Sequence, residues 1–379
     1  MKKIASKSIL TLLCGAMIAA AAGCGNTTAY PLNINGEDIR AGIYIMNQQT
    51  ALSEAQSKLK EEQPDLDTTA EDYDFKKQLI EGIGAEEWVK NRTFELCRNY
   101  VASNKLFEEK GLSLTAEELS EIKSQSNSLW TEENMYAQYI YGVDIVGEYY
   151  EGIGVSQQSY SDMLTNDYKN EALFEYFYGA EGVEKPDDAE VSKKTLEKYF
   201  AVNYFTYDPE VGGETAEQRL ERLNKGESFE SVYKTYMDDS EKHTLETEKA
   251  EAEEAGETYE GDLPENVDTE LPAADSLIQV IDKESSSLDE SFIKQVDEMK
   301  EGENKVIKVT PSEGEEIVYV VSKVKFSEKA ELMEDYRDNV VREMKGDELK
   351  EKIKAAGEGY TLKENTAAVN LYKIDKLLG

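Results

Sequence analysis

Apolar positions recur with a helical period over most of this chain and alternate only in its middle. Leu32-Asn33-Ile34-Asn35-Gly36 alternates and ends on a turn dipeptide, which predicts a short strand. Asp38 is placed to cap a helix carrying Ile39, Ile43, Tyr44 and Met46. Residues 62–73 are polar and include Pro64, so they read as a loop. Helical patterning resumes near Asp74 and runs through Trp88, Val89, Leu96, Val101, Leu106 and Phe107 to a stop at Gly111. Ser113 or Thr115 starts the next helix, and Glu118, three residues after Thr115, completes a capping box. Tyr136, Tyr139, Ile140 and Val143 carry the stripe onward, and Ser156 opens a helix bearing Tyr160, Met163, Leu164, Tyr168, Leu173 and Phe177.

The period changes after Pro186 and Asp187-Asp188. A helix near Val191–Tyr199 leads into the β-rich run 201–207, and a further helix spans 214–237. Residues 241–270 are strongly acidic with few large apolar groups, and their composition predicts a disordered insertion. Phe292, Val296 and Met299 mark another helix. Lys305–Val309 and Ile317–Val324 read as strands, and a helix runs from Glu328 to Ala356. The order predicts an α+β chain: a helical domain (32–185) to which a C-terminal helical segment (327–379) returns, and a small antiparallel sheet flanked by helices (200–326) inserted between them.

The first 23 residues have another character. Lys2, Lys3 and Lys7 precede an apolar run from Ile9 to Ala22 that is too short to span a bilayer permanently. This predicts a signal peptide (1–23), followed by a tether (24–31). Ala21-Ala22-Gly23-Cys24 resembles a bacterial lipobox, with Ala21 where Leu is commoner; the resemblance implies lipid attachment at Cys24 and an extracytoplasmic chain held on the outer face of the cell membrane. The alternative is an ordinary signal peptide cut near the same point.

Charge removes several partners. The chain has 79 acidic against 42 basic residues, a net −37 that becomes −40 without the three leader lysines. With no basic stripe, nucleic acid is excluded as a partner. The one histidine, His243, has no neighbours at ligand spacing, so neither a metal site nor a Ser-His-Asp triad is expected, and no cofactor motif is present. Cys97 lies in an apolar helical stretch and reads as a small buried hydrophobe. The 23 tyrosines read as amphipathic packing residues with a capacity to bind unfolded chains.

Several local strings resemble the PrsA/SurA-type extracytoplasmic foldases, which carry a parvulin-like peptidyl-prolyl isomerase domain. Leu32-Asn33-Ile34-Asn35-Gly36-Glu37-Asp38-Ile39 is similar to their opening strand and turn, and Leu106 to Glu118 to a helix boundary. In the middle block, Leu223 to Val232 resembles the parvulin L-x-x-G-x-x-F pattern, Tyr236-Met237-Asp238-Asp239-Ser240 the Y-S-D-D/C-S string, and Gly261-Asp262-Leu263 the G-G-D-L string. Phe292 and Lys300-Glu301-Gly302-Glu303 resemble F…L-x-x-G-E, and Ile317 to Lys323 the terminal strand. The resemblance implies a catalytic site at Tyr204, Asp239 and Tyr319, with Leu288 and Phe292 gripping the substrate proline. The family's two histidine positions are filled here by Tyr204 and Tyr319. It further implies a foldase or chaperone for unfolded or partly folded secreted proteins. Isomerase activity is a further expectation, and the alternative is a structural or assembly lipoprotein with an inactive parvulin-like domain. A transporter-coupled ligand receptor would need a two-lobed α/β chain, which the long helical stretches oppose.

Overall fold

The computed structural model describes residues 30–378 apart from 69, 71, 72, 257, 260, 262–264, 266, 312 and 313. The expected signal peptide and Cys24 lie outside the described residues, as do 25–29 of the tether. The chain divides into two compact units, one formed by residues up to Leu173 with those from Lys350, the other by Phe174–Leu349. These divisions fall within helices rather than at 185 and 327, where composition placed them. The architecture is α+β.

In the first unit, β1 (Leu32–Ile34) turns at Asn35 and Gly36, both at positive φ (52° and 89°), into β2 (Glu37–Ile39). An Asn-Gly pair is the strongest signal for a two-residue hairpin, because both central positions need positive φ. Asp38 therefore sits in a strand, accepting from Asn33 Nδ2 at 2.7 Å, and does not cap α1 (Ala41–Glu62), which starts after Arg40 with no side-chain cap. A second hairpin follows, β3 (Leu79–Ile80) and β4 (Ile83–Gly84), in a stretch read as helical; α2 (Ala85–Glu109) begins only after it. Next come α3 (Ala116–Thr131), with the Thr115–Glu118 capping box formed, α4 (Met135–Tyr141), α5 (Val146–Ile153) and α6 (Gln157–Tyr178).

The second unit opens with α7 (Asp188–Lys198) and β5 (Tyr199–Tyr207), then α8 (Ala216–Asn224) and α9 (Phe229–Ala255). The acidic stretch is thus helical to Ala255. Its Glu, Lys and Ala residues are all strong helix formers, and Lys242–Glu246 spans one turn at 3.8 Å, so charge alone does not melt it. Beyond it, Asp238 takes the Thr269 backbone N–H (2.7 Å) and hydroxyl (2.6 Å), tying the returning chain to α9. Then come β6 (Gln279–Asp282), α10 (Glu290–Asp297), β7 (Asn304–Val309), β8 (Ile317–Lys323), α11 (Ala330–Glu334) and α12 (Arg337–Gly357). The sheet is fully antiparallel in the order β6-β5-β8-β7. Because strand side chains alternate, it has two apolar faces. Phe200, Val202 and Tyr204 meet α10, while Phe205 and Tyr207 meet α8 and α9.

After α12 the chain rejoins the first unit through β9 (Leu362–Glu364) and α13 (Thr366–Val369). β9 pairs antiparallel with β1, Leu32 opposite Glu364 and Ile34 opposite Leu362, so β1 is the centre of a three-stranded sheet made from both chain ends. Leu32 and Ile34 are fully buried with Ile43, Tyr44, Cys97, Val101 and Val369. Cys97 fits its expected role, and burial pushes its thiol well above the ordinary range.

Ile34→Ala should destabilise the first unit by about 2–4 kcal/mol through lost burial and a residual cavity. Lys363→Ala, on the exposed side of β9, should change stability by less than about 0.5 kcal/mol. Urea unfolding of the two variants measures the contrast, and equal effects would contradict the pairing.

Candidate functional site

Tyr204, Phe292 and Tyr319 come together on one face of the four-stranded sheet. The register explains it: Tyr204 lies opposite Val321 and Thr206 opposite Tyr319, so the two tyrosines are diagonal neighbours with side chains on the same face. Phe292 reaches them from α10, whose N-terminus is set by Asp289 accepting from Ser291 N–H at 2.8 Å. Ring centroids are 5.2 Å apart for Tyr204–Phe292, 4.6 Å for Phe292–Tyr319 and 5.9 Å for Tyr204–Tyr319, in tilted and edge-on geometries that aromatic quadrupoles favour. Leu288 packs against the same cluster.

The far end of α10 is pinned by the same strand that supplies Tyr319. Lys323 lies four residues along β8, hence on the same face. Its Nζ donates to the carbonyls of Val296 (2.9 Å), Asp297 (2.8 Å) and Met299 (2.8 Å). A cation satisfying the unpaired carbonyls at a helix C-terminus is electrostatically favourable and fixes the helix along the sheet.

In this packing Tyr204 and Leu288 are half-buried, and the ring between the two tyrosines is enclosed. Phe292 is 0% exposed and Tyr319 only 9%. A nearby cleft of about 240 Å³, lined by Leu196, Phe200, Lys283, Lys323 and Phe326, lies toward the start of β5 instead. Burial raises both tyrosine hydroxyls above their ordinary range, reinforced by each other for Tyr204 and by Asp289 for Tyr319. Both are neutral phenols at pH 7, able to donate and accept a hydrogen bond.

Asp239 does not join them. It projects from α9, where its Oδ2 accepts from Arg219 Nη2 at 2.5 Å. Arg219 is completely buried, donates also to Thr235 Oγ1 (3.0 Å) and the Glu214 carbonyl (3.2 Å), and stacks 5.2 Å from the Tyr236 ring centroid. Tyr236 in turn stacks on Phe205, whose side chain faces away from Tyr204's. Gly213 (φ 70°) closes over this carboxylate; a Cβ there would collide with Asp239. Asp239 therefore belongs to an ion pair that joins α8 to α9, on the other side of the sheet from the aromatic trio. The partner that decides this, Arg219, is 20 residues distant, and no local string announces it. Of the string Gly261-Asp262-Leu263, Asp262 and Leu263 lie outside the described residues; the strand bordering β5 on that side is β6, residues 279–282.

No cluster of His, Cys, Asp and Glu suited to a metal ion occurs among the described residues. The site is an aromatic sheet face in an α+β module, offering apolar contact and two phenolic hydroxyls.

No protein-family profile matches the chain, and no curated protein matches it. Among solved structures it is similar to PrsA from Bacillus subtilis (15% identity over 71% of this chain and 84% of that one, TM-score 0.28). It is similar also to the foldase PrsA from Streptococcus pneumoniae (13%, 76% and 95%, 0.31) and to the foldase PrsA from Lactococcus lactis (14%, 91% and 100%, 0.30).

Two predictions follow from the placement of these groups. Asp239→Ala should lower stability by about 1–3 kcal/mol, because it removes the nearer of two carboxylates from a buried guanidinium; Glu214 at 3.8 Å and the one-third exposure of Asp239 keep the cost below that of a fully buried, single pair. Chemical denaturation reads this, and an unchanged midpoint would contradict the structural role. With folded tyrosine pKa values raised, the unfolded phenols ionise first as pH rises. The stability contributed by Tyr204 and Tyr319 is therefore complete below about pH 10 and is lost above it. Tyr204→Phe/Tyr319→Phe should flatten that alkaline limb, as seen by urea midpoints from pH 7 to 11.

Proposed function

We propose that this chain is a membrane-anchored extracytoplasmic chaperone that binds unfolded exported proteins, and that its four-stranded module contributes a surface rather than proline isomerisation. The observation that carries the binding role is a helix in the first unit with its apolar side turned outward. Along α4, Met135 is 89% exposed, Tyr136 76%, Tyr139 89% and Ile140 61%. Tyr141 is exposed too, and while scattered exposed apolar residues are ordinary, five on seven successive positions form a patch of the kind that marks an interaction site. Non-native chains expose apolar surface, and its burial at ~25 cal/mol per Å² supplies affinity without a fixed sequence.

The anchoring part of the proposal rests on the leader and Cys24. Among the described residues no helix is long and apolar enough to cross a membrane. Attachment would therefore fall to acyl chains on that cysteine.

Isomerisation needs a twisted prolyl amide to be bound better than a planar one, against a barrier of about 18–20 kcal/mol. The proline would have to displace Tyr204 or Tyr319 before touching Phe292. The enclosed Phe292 ring supports inactivity here, and with it the alternative of a structural or assembly lipoprotein. Measurements on the chain from Gly25 onward separate these readings. The proposal predicts suppressed aggregation of a chemically unfolded secreted protein near equimolar ratio, with no acceleration of X–Pro isomerisation in a tetrapeptide. Acceleration lost in Phe292→Ala would restore the enzyme reading. A stable stoichiometric partner with no effect on refolding would favour the scaffold.

A further inference from the structure

The segment around α4 is a closed excursion whose chemistry is one-sided. Its stem is an antiparallel bridge between Glu133 and Ile145, with Asn134 N–H donating to the Asp144 carbonyl at 2.8 Å. The Asn134 side chain accepts from the backbone N–H groups of Tyr136 (2.8 Å) and Ala137 (3.3 Å), and Gly142 at φ 69° ends the helix. Only Ala137 of the seven helical residues is buried. The remaining rings continue inward as a stack. Tyr141 lies 4.1 Å from Tyr149, Tyr149 5.6 Å from Tyr150, and Tyr150 stacks at 5.8 Å on Trp130. Gly147 is what lets Trp130 in, since a Cβ there would stand 2.8 Å from the indole. The exposed helix is thus held out from a fixed aromatic base.

Charge then narrows the occupant. Residues 124–168 contain seven Asp or Glu and seven of the 23 tyrosines, but no Lys or Arg. Glu132, Glu133, Asp144 and Glu148 are exposed around the stem. Of the seven carboxylates, only Asp162 has an ion-pair partner among the described residues, Arg40 at 3.5 Å. Tyrosine faces attract cations through the ring quadrupole, and unpaired carboxylates attract them through charge. Anionic headgroups, nucleic acid and a second copy of this −37 chain are repelled by the same groups. An interfacial helix would also carry Lys or Arg on its polar face, and α4 has neither.

We propose that the α4 excursion is a binding site for extended polypeptide segments in which Lys or Arg alternates with apolar residues. It selects cationic stretches of unfolded chain by aromatic contact together with the acidic rim. The inference rests on the chaperone reading and adds its specificity. It is tested with the full chain and fluorescent peptides of about twelve residues, one alternating Lys with Leu and Phe, one with every Lys replaced by Glu, read by anisotropy at low and high salt.

The expected result is at least about tenfold tighter binding of the Lys peptide, weakening as salt rises from about 50 to 500 mM. Tyr136→Ser/Tyr139→Ser/Ile140→Ser should weaken binding of the Lys peptide by about tenfold, and Glu132→Gln/Glu133→Gln/Asp144→Asn/Glu148→Gln should remove its charge preference. These positions are exposed, and circular dichroism checks that both variants stay folded. Equal affinity for the two peptides, or unchanged affinity in the α4 variant, would overturn the proposal. So would α4-dependent binding to phosphatidylcholine or phosphatidylglycerol vesicles in place of peptide, or α4-dependent dimerisation in sedimentation. The chaperone reading fails separately, if the unaltered chain suppresses aggregation of no client; the inference fails if suppression is present but indifferent to α4 and to client charge.

Discussion

Phe292 is enclosed by two tyrosine rings and by the sheet beneath them, and that packing limits what the four-stranded module can do. Its phenyl ring is held from three directions: α10 starts at the Asp289 cap, ends on Lys323, and lies against strands that present Tyr204 and Tyr319 on the same face. Each restraint is short-range and directional, so the aromatic trio is a single packed object. A ligand that needs the phenyl face must first undo it. The module keeps an apolar sheet face and neutral hydroxyls.

The acidic surface makes a second demand. A chain with net −37 gains little from scattered ion pairs and must hold together by burial. Both units do so around a strand that has at least one neighbour from far along the sequence. In the first, β1 lies between β2 and β9; in the second, β5 lies between β6 and β8. Where a charge is buried, it is held by several partners at once, as Arg219 is by Asp239, Thr235 and the Glu214 carbonyl. Where acidic charge has no cationic partner among the described residues, around α4, it accompanies exposed rings.

Local rules accounted for much of this. The Thr115–Glu118 capping box, the helical stripes and the strands at 201–207 and 317–323 follow from spacing alone, and the alternation Phe200, Val202, Tyr204 already puts Tyr204 on one face. Asp38 carries a helix-cap signal, but the adjacent Asn35-Gly36, at positive φ, dictates a hairpin that puts it in a strand. In residues 241–255 helix propensity outweighs net charge, and the segment is helical where composition alone predicts disorder. Asp239 and β9 were invisible for another reason. Arg219 and Leu32–Ile34 are their determinants, and such pairings are fixed only when the whole chain is folded. The outward apolar side of α4 was legible as a stripe but not as a surface, since periodicity does not reveal which side of a helix finds a partner.

Amide hydrogen exchange of the chain with and without a chemically unfolded secreted protein addresses most directly where a client lies. Binding through the helical unit predicts slowed exchange across residues 133–149, with rates at 204–207, 288–297 and 317–321 unchanged. Protection confined to residues around Tyr204, Phe292 and Tyr319, with 133–149 unaltered, would contradict it.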